Sequence, residues 1–186
     1  MNRPSWTEYF KKMTELVSTR STCLRRKVGA IIIKDNQVIA TGYNGPPRGI
    51  SRCVGLEQCP VCHGQGFFKQ QLNNGEHTIY RCTACNNINI QSSDSICIRN
   101  KLNIPSGERH ELCRGLHAEQ NCIIQAARHG ISIKNSTMYC TNKPCIVCVK
   151  MIINAGITKV WYIEDYPDVQ ADKIIEQNAL CEFSLI

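Results

Sequence analysis

The sequence predicts a layered α/β domain over its 186 residues, and three observations carry that prediction. The second half alternates helix-like and strand-like segments, the pattern that lays helices on a sheet through parallel crossovers. The first quarter holds an amphipathic helix and then two apolar runs joined by a polar turn. Between them, residues 53–113 contain seven of the thirteen cysteines, with frequent Gly, Asn and Ser and no sustained periodicity. That stretch reads as an insertion held together by metal within a single domain.

The elements follow in order. Ser5 with Glu8 three residues later makes a capping box, and Tyr9, Phe10, Met13, Leu16 and Val17 recur at helical spacing, so a helix is expected over about 5–19. Val28–Ile33 and Val38–Ala40 flank Lys34-Asp35-Asn36-Gln37 and predict an antiparallel hairpin. Gly42 to Gly49 packs three glycines and two prolines into eight residues and must be a loop. Beyond the insertion, helices are expected over 117–129, 145–155 and about 169–178, the first two closed by Gly130 and Gly156. Strands are expected over 137–141, 159–163 and about 181–185.

Hydrophobic residues at 42% and charged residues at 20% exclude a disordered or collagen-like chain. No run approaches the length of a membrane span and the N-terminus lacks the apolar core of a signal peptide, so the expected setting is the cytoplasm, away from membranes. In that reducing compartment, an odd number of cysteines with several tight Cys-x-x-Cys pairs points to zinc before disulfides. Residues 1–52 carry 10 Lys+Arg against 3 Asp+Glu, whereas residues 53–113 hold 5 of each and residues 114–186 hold 7 of each. A basic first quarter with Arg20, Arg25, Arg26, Lys27, Arg48 and Arg52 suits a phosphorylated ligand or a nucleic acid; a solvated basic face is the plain alternative.

The residues with most chemical content are His117-Ala118-Glu119 and Pro144-Cys145-Ile146-Val147-Cys148. Cysteines three apart at the start of a helix bring their sulfurs to one face, and His117 at a neighbouring helix start completes a three-ligand set. Three protein ligands leave the fourth tetrahedral position of zinc open, as in a catalytic site. Helix N-termini favour the thiolates. Glu119, two residues from a ligand, can reach a bound water without ligating. Together, His-x-Glu and Pro-Cys-x-x-Cys form the signature of zinc deaminases of nucleobases, in which the glutamate carries protons to the ring and to the departing ammonia.

With these motifs in place, the chain resembles the deoxycytidylate (dCMP) deaminases of the cytidine deaminase superfamily over nearly all its length outside residues 54–96. The matching stretches are Ser21-Thr22-Cys23, Lys27-Val28-Gly29-Ala30, Gly42-Tyr43-Asn44-Gly45, the block from Ile104 to Asn121, and Pro144 to Cys148. The resemblance implies a three-layer α/β/α fold around a five-stranded mixed sheet and hydrolysis of dCMP to dUMP and ammonia, supplying thymidylate synthesis. It further implies activation by dCTP and inhibition by dTTP, with Mg accompanying either triphosphate, and a homo-oligomer, commonly a hexamer. It implies a second, structural zinc on Cys23, Cys53, Cys97 and Cys113, with His110 as an alternate for one of the last two. It puts Asn44 against the deoxyribose, extends the substrate contacts to Ala118, and assigns the effector region to Gly42, Tyr43, Gly45 and Arg128. Turn support is the plain alternative for Asn44, and a solvated helix end for Arg128. Arg26 and Lys27, beside the substrate loop, are the candidates for the phosphate.

Cys59-Pro60-Val61-Cys62 and Cys82-Thr83-Ala84-Cys85, 19 residues apart, fit two knuckles on one zinc, with Phe67, Phe68, Ile79 and Tyr80 forming a hairpin between them. The expected total is three zinc ions per chain. The ribbon is expected to staple an insertion of about residues 54–96 that is too small for its own core. Cys122, Cys140 and Cys181 are expected to be buried thiols. Competing readings are a deaminase of cytidine, of tRNA adenosine or of a riboflavin-pathway pyrimidine, and a zinc-ribbon nucleic-acid-binding protein. The near-neutral charge of residues 54–96, 2 Lys+Arg against 3 Asp+Glu, disfavours the last.

Overall fold

In the computed structural model, which describes residues 3–50, 67–71, 77–81 and 97–186, α1 (Trp6–Ser18) begins where Ser5 Oγ accepts the Glu8 amide at 3.1 Å. β1 (Gly29–Lys34) and β2 (Gln37–Tyr43) form the expected hairpin. Its two-residue turn needs left-handed backbone at both positions, and Asp35 and Asn36, with φ of 51° and 59°, tolerate it. α3 (Ala118–Arg128), β5 (Thr137–Asn142), α4 (Ile146–Asn154), β6 (Lys159–Glu164), α5 (Val169–Gln177) and β7 (Glu182–Leu185) complete the domain.

The main sheet runs β2-β1-β5-β6-β7. β1 is antiparallel to β2 and β5, while β5, β6 and β7 are mutually parallel through helical crossovers, so the sheet is mixed as predicted. Period-two alternation sorts its side chains. Ile31, Ile33 and Tyr139 meet Phe10 of α1 on one face. Ala30, Ile32, Ala40, Met138, Cys140 and Val160 turn to the other, against Ala118, Cys122 and Ala126 of α3 and Cys148 and Ile152 of α4. Ala30, Ile31 and Ile32 are fully buried because β1 is covered on both sides, which explains its unbroken apolar run. Cys122, Cys140 and Cys181 lie in the α3/α4 core; burial raises the first two thiols strongly and pushes Cys181 up to about 11.

The approach of β2 to α3 positions the start of α3, where His117 and Glu119 lie. A Cβ on Gly42 would lie 2.5 Å from the Cys122 amide nitrogen and closer still to the Ala118 carbonyl, so only glycine permits this packing. Gly42→Val is expected to destabilise the fold by about 3 kcal/mol, the upper part of the usual overpacking range. Urea unfolding measures it, and an unchanged midpoint would mean that strand and helix can part without cost.

The periodicity reading missed two short pieces, α2 (Ile98–Lys101) and a 3-10 turn over His110–Leu112. They belong to a connection shaped by left-handed residues, Asn103 (φ 51°), Gly107 (φ 89°) and Arg109 (φ 49°), and by Arg99 Nη2 donating to Pro105 O at 3.0 Å. Such local bonding leaves no periodic trace. In the insertion, β3 (Phe67–Gln71) and β4 (His77–Arg81) pair antiparallel as expected, with Phe68 opposite Tyr80. The proposed ligands Cys53, Cys59, Cys62, Cys82 and Cys85 lie outside the described residues. No helix among the described residues is long and apolar enough to cross a membrane.

Candidate active site

Two helix starts converge beneath the loop that follows β2. His117 caps α3 and Cys145 caps α4, both with extended backbone, and Cys148 follows in the first turn of α4. His117 N donates to Gln120 Oε1 at 2.8 Å, fixing the entry to α3. His117 Nδ1 lies 3.3 Å from Cys145 Sγ and 3.4 Å from Cys148 Sγ. The three ligand atoms fall within 4.8 Å of one another and form the one group of three or more His, Cys, Asp or Glu among the described residues that could hold a metal ion. One imidazole nitrogen and two sulfurs suit zinc, and three donors leave a position open towards the cleft.

The two sulfurs behave as a pair. The Cys145 thiol is depressed to about 4 by its hydrogen bond with Cys148 and, against the opposing effect of burial, by His117. Cys148 is raised, by that same bond and by burial, so the pair readily gives up its first proton and holds the second until a cation takes its place.

Glu119 is 4% exposed at the second position of α3. Burial raises its carboxyl pKa, and the neighbouring His117 partly offsets that. Glu119 lines a cleft together with Val28, Asn44, Ala118 and Asn142, and Arg25, Arg26 and Arg99 belong to the same lining. Arg99 is 8% exposed. Its Nε and the Nη1 of Arg25 are buried with no hydrogen-bond partner among the described residues. Two buried guanidinium donors without acceptors prepare a cleft for an anion. Arg26 lies at the rim, its guanidinium 5.0 Å from the centre of the Tyr166 ring.

Asn44 is bound into the turn as well as facing the cleft. Its Oδ1 accepts from the Val28 amide at 2.8 Å and from Ser21 Oγ, and its Nδ2 donates to Arg26 O at 2.8 Å. One Nδ2 proton stays available for a ligand. Of the cations expected beside the loop, Arg26 lines the cleft and also an adjoining polar hollow, whereas Lys27 lines only that hollow, with Glu15, Ser18 and Thr141. Arg99, Arg25 and Tyr166 were not singled out as site residues. Arg25 had a signal, its place in the basic quarter, whereas Arg99 and Tyr166 are brought in by long-range folding alone.

The residues matched to an effector region divide. Gly42 is buried under α3, and Gly45 is clamped to Leu116 by a pair of backbone bonds of 3.1 and 2.9 Å. Tyr43 and Arg128 are exposed. Cys23, Cys97 and Cys113 line the same cleft as the zinc-type trio without forming a second tight group among the described residues.

The family model for the cytidine and deoxycytidylate deaminase zinc-binding region matches residues 4–164. Deoxycytidylate deaminase of Saccharomyces cerevisiae is 32% identical over 180 residues, covering 96% of this chain and 44% of the relative. That of Schizosaccharomyces pombe is 34% identical over 164 residues, covering 88% and 38%. The chain thus spans less than half the length of either. Deoxycytidylate deaminase of Enterobacteria phage T4 is 37% identical over 151 residues, covering 81% of this chain and 74% of the relative. The crystal structure of dCMP deaminase from the cyanophage S-TIM5 in complex with dCMP and dUMP superposes with a TM-score of 0.63 at 28% identity, over the whole of both chains. The matched fold, together with a His-Cys-Cys set and a buried glutamate at two helix starts, places this chain in the cytidine and deoxycytidylate deaminase family.

Proposed function

We propose that the chain catalyses the hydrolytic deamination of dCMP, taking up water and releasing dUMP and ammonia. The observation that carries this reading is one cleft with a buried carboxyl beside a zinc-type donor set and, elsewhere in its lining, two buried guanidinium nitrogens with no hydrogen-bond partner among the described residues. Zinc held by His117, Cys145 and Cys148 would supply the Lewis acidity that activates water at neutral pH. Glu119, kept out of bulk water, takes the two protons of the attacking water in turn, giving the first to the pyrimidine ring nitrogen, where it stays in the product, and the second to the amine, which leaves as ammonia. Its burial raises the proton affinity of the carboxylate, which strengthens it as the base that takes a proton from water. Ala118, fully buried at the first turn of α3, and Asn44 both line the cleft, where the small side chain would leave room for the flat base and the second Nδ2 proton of Asn44 would donate to the sugar.

Arg99 and Arg25, with Arg26 at the rim, take the 5′-phosphate. This separates dCMP from free cytidine, which has no anion to satisfy the two arginines. Arg99→Gln is expected to lower kcat/KM for dCMP about 10- to 100-fold, the worth of a hydrogen bond to a charged group. Turnover of deoxycytidine should barely change. A panel of dCMP, CMP, deoxycytidine and a tRNA stem-loop reads both points, and equal losses for dCMP and deoxycytidine would remove the arginine from phosphate recognition. A gel shift with nucleic acid tests the competing ribbon-mediated reading.

The proposal extends to regulation and assembly, supported by the same family resemblance. dCTP activates and dTTP inhibits, with Mg on the triphosphate, in a homo-oligomer of hexamer size working in the cytoplasm. Exposed Tyr43 and Arg128 are the residues available to an effector, while Gly42 and Gly45 shape the backbone beneath it. The ribbon cysteines and the set Cys23, Cys53, Cys97 and Cys113 would hold two further zinc ions. The same substrate panel with dCTP or dTTP added, on protein of measured size, examines the regulatory part.

A further inference from the structure

His117 touches more than the two sulfurs. Its Nε2 lies 3.0 Å from His110 Nδ1, and His110 Nε2 lies 2.8 Å from the carbonyl oxygen of Gly107. The rings stand 4.8 Å apart at 62°, an edge-on arrangement that suits a nitrogen-to-nitrogen bond. We infer that His110 is a positioning residue: with its own tautomer set by the Gly107 carbonyl, it presents an acceptor to His117 Nε2 and so fixes which nitrogen of His117 faces the metal.

The argument is one of donors and acceptors. A carbonyl oxygen only accepts, so His110 Nε2 carries the proton. In a neutral imidazole the other nitrogen then has the lone pair, so His110 Nδ1 accepts. His117 Nε2 must therefore donate, and the lone pair of His117 is left on Nδ1, the atom 3.3 and 3.4 Å from the two sulfurs. Metal-bound histidines regularly give their second N–H to an acceptor that fixes ring and tautomer. Here that acceptor is another histidine, itself set by the main chain.

The local backbone serves this chain of bonds. Gly107 is held at φ 89°, where a side chain is strained and where an added Cβ would lie 3.1 Å from Tyr166 Oη. Arg109 just before His110 also has left-handed backbone. The Gly45–Leu116 bridge clamps the segment just before His117. With both ring nitrogens engaged, His110 has no lone pair for a second ion, and the alternate ligand role expected from the resemblance falls away.

This inference rests on His117, Cys145 and Cys148 being the metal site, and the test separates the two. Cobalt(II) and zinc affinities are measured by chelator competition on the full chain for wild type, His110→Asn, His110→Gln and His110→Ala. Each is read as the difference from the same protein carrying Cys145→Ala, which isolates this site. Asparagine places an oxygen acceptor where His110 Nδ1 stands but cannot reach Gly107; glutamine reaches Gly107 but offers His117 no acceptor. The expected result is a loss of affinity of about 10- to 100-fold for His110→Gln and His110→Ala, the usual range for such partners. The cobalt d–d band should shift in those two, with His110→Asn close to wild type in both readouts. The reverse order, glutamine rescuing and asparagine failing, would make His110 only an anchor for the Gly107 loop and overturn the inference. Equal affinities in all four proteins, or loss of a zinc equivalent that survives Cys145→Ala, would overturn it too. No Cys145-dependent metal in wild type would instead overturn the metal-site reading.

Discussion

Glu119→Gln is expected to leave the fold and the zinc content of the protein intact while lowering kcat for dCMP by about 10²- to 10⁴-fold, the usual contribution of a positioned acid–base group. The amide has the shape of the carboxyl but can neither take up nor release a proton near neutral pH. Because Glu119 is 4% exposed, no solvent group can take its place without opening the helix start. KM should move little, since the residue works on protons more than on binding. Retention of more than about a tenth of the rate, a barrier change under about 1.4 kcal/mol, would take Glu119 out of proton transfer.

The second large effect is expected at the ligands. Cys145→Ala or His117→Ala should reduce bound zinc by one equivalent relative to wild type and abolish turnover. Either change leaves two donors where a catalytic zinc site needs three. Removing Cys145 also removes the thiol depressed to about 4, the one most ready to bind as thiolate. Elemental analysis beside an activity measurement reads both. Wild-type zinc content in either variant would mean that the ion is held elsewhere in the chain.

The trio and Glu119 were legible in the sequence because their geometry is local. Cysteines three apart at a helix start must share a face, and a capping histidine two residues before a glutamate must sit near its carboxyl. The sheet was legible for a related reason: Ile31 and Ile33 alternate with Ala30 and Ile32 in a strand buried on both faces, and Gly130 and Gly156 end their helices with φ of 64° and 77°. Contacts made across the fold were not legible. Arg99 lies in an aperiodic stretch and reaches the cleft only because α2 packs there. Lys27, adjacent in sequence to Arg26, lines the neighbouring polar hollow but not the cleft. Asn44 staples the turn with most of its hydrogen-bonding capacity, the plain alternative weighed for it, and has one Nδ2 proton without a partner among the described residues. The family resemblance offered His110 as an alternate ligand of a second zinc, whereas its contacts with His117 and Gly107, made by the fold of residues 107–110, are the ones from which the positioning role is inferred.

The central claim is that this chain deaminates dCMP with a metal held by His117, Cys145 and Cys148. It is tested most directly by following the conversion of dCMP to dUMP spectrophotometrically with one preparation in three states: as purified, stripped by chelator, and reloaded with zinc. The account predicts turnover in the first state, loss in the second and recovery in the third, with dCMP preferred over deoxycytidine throughout. Zinc-loaded, folded protein that leaves dCMP untouched, or that turns it over equally well after the metal is removed, would contradict it.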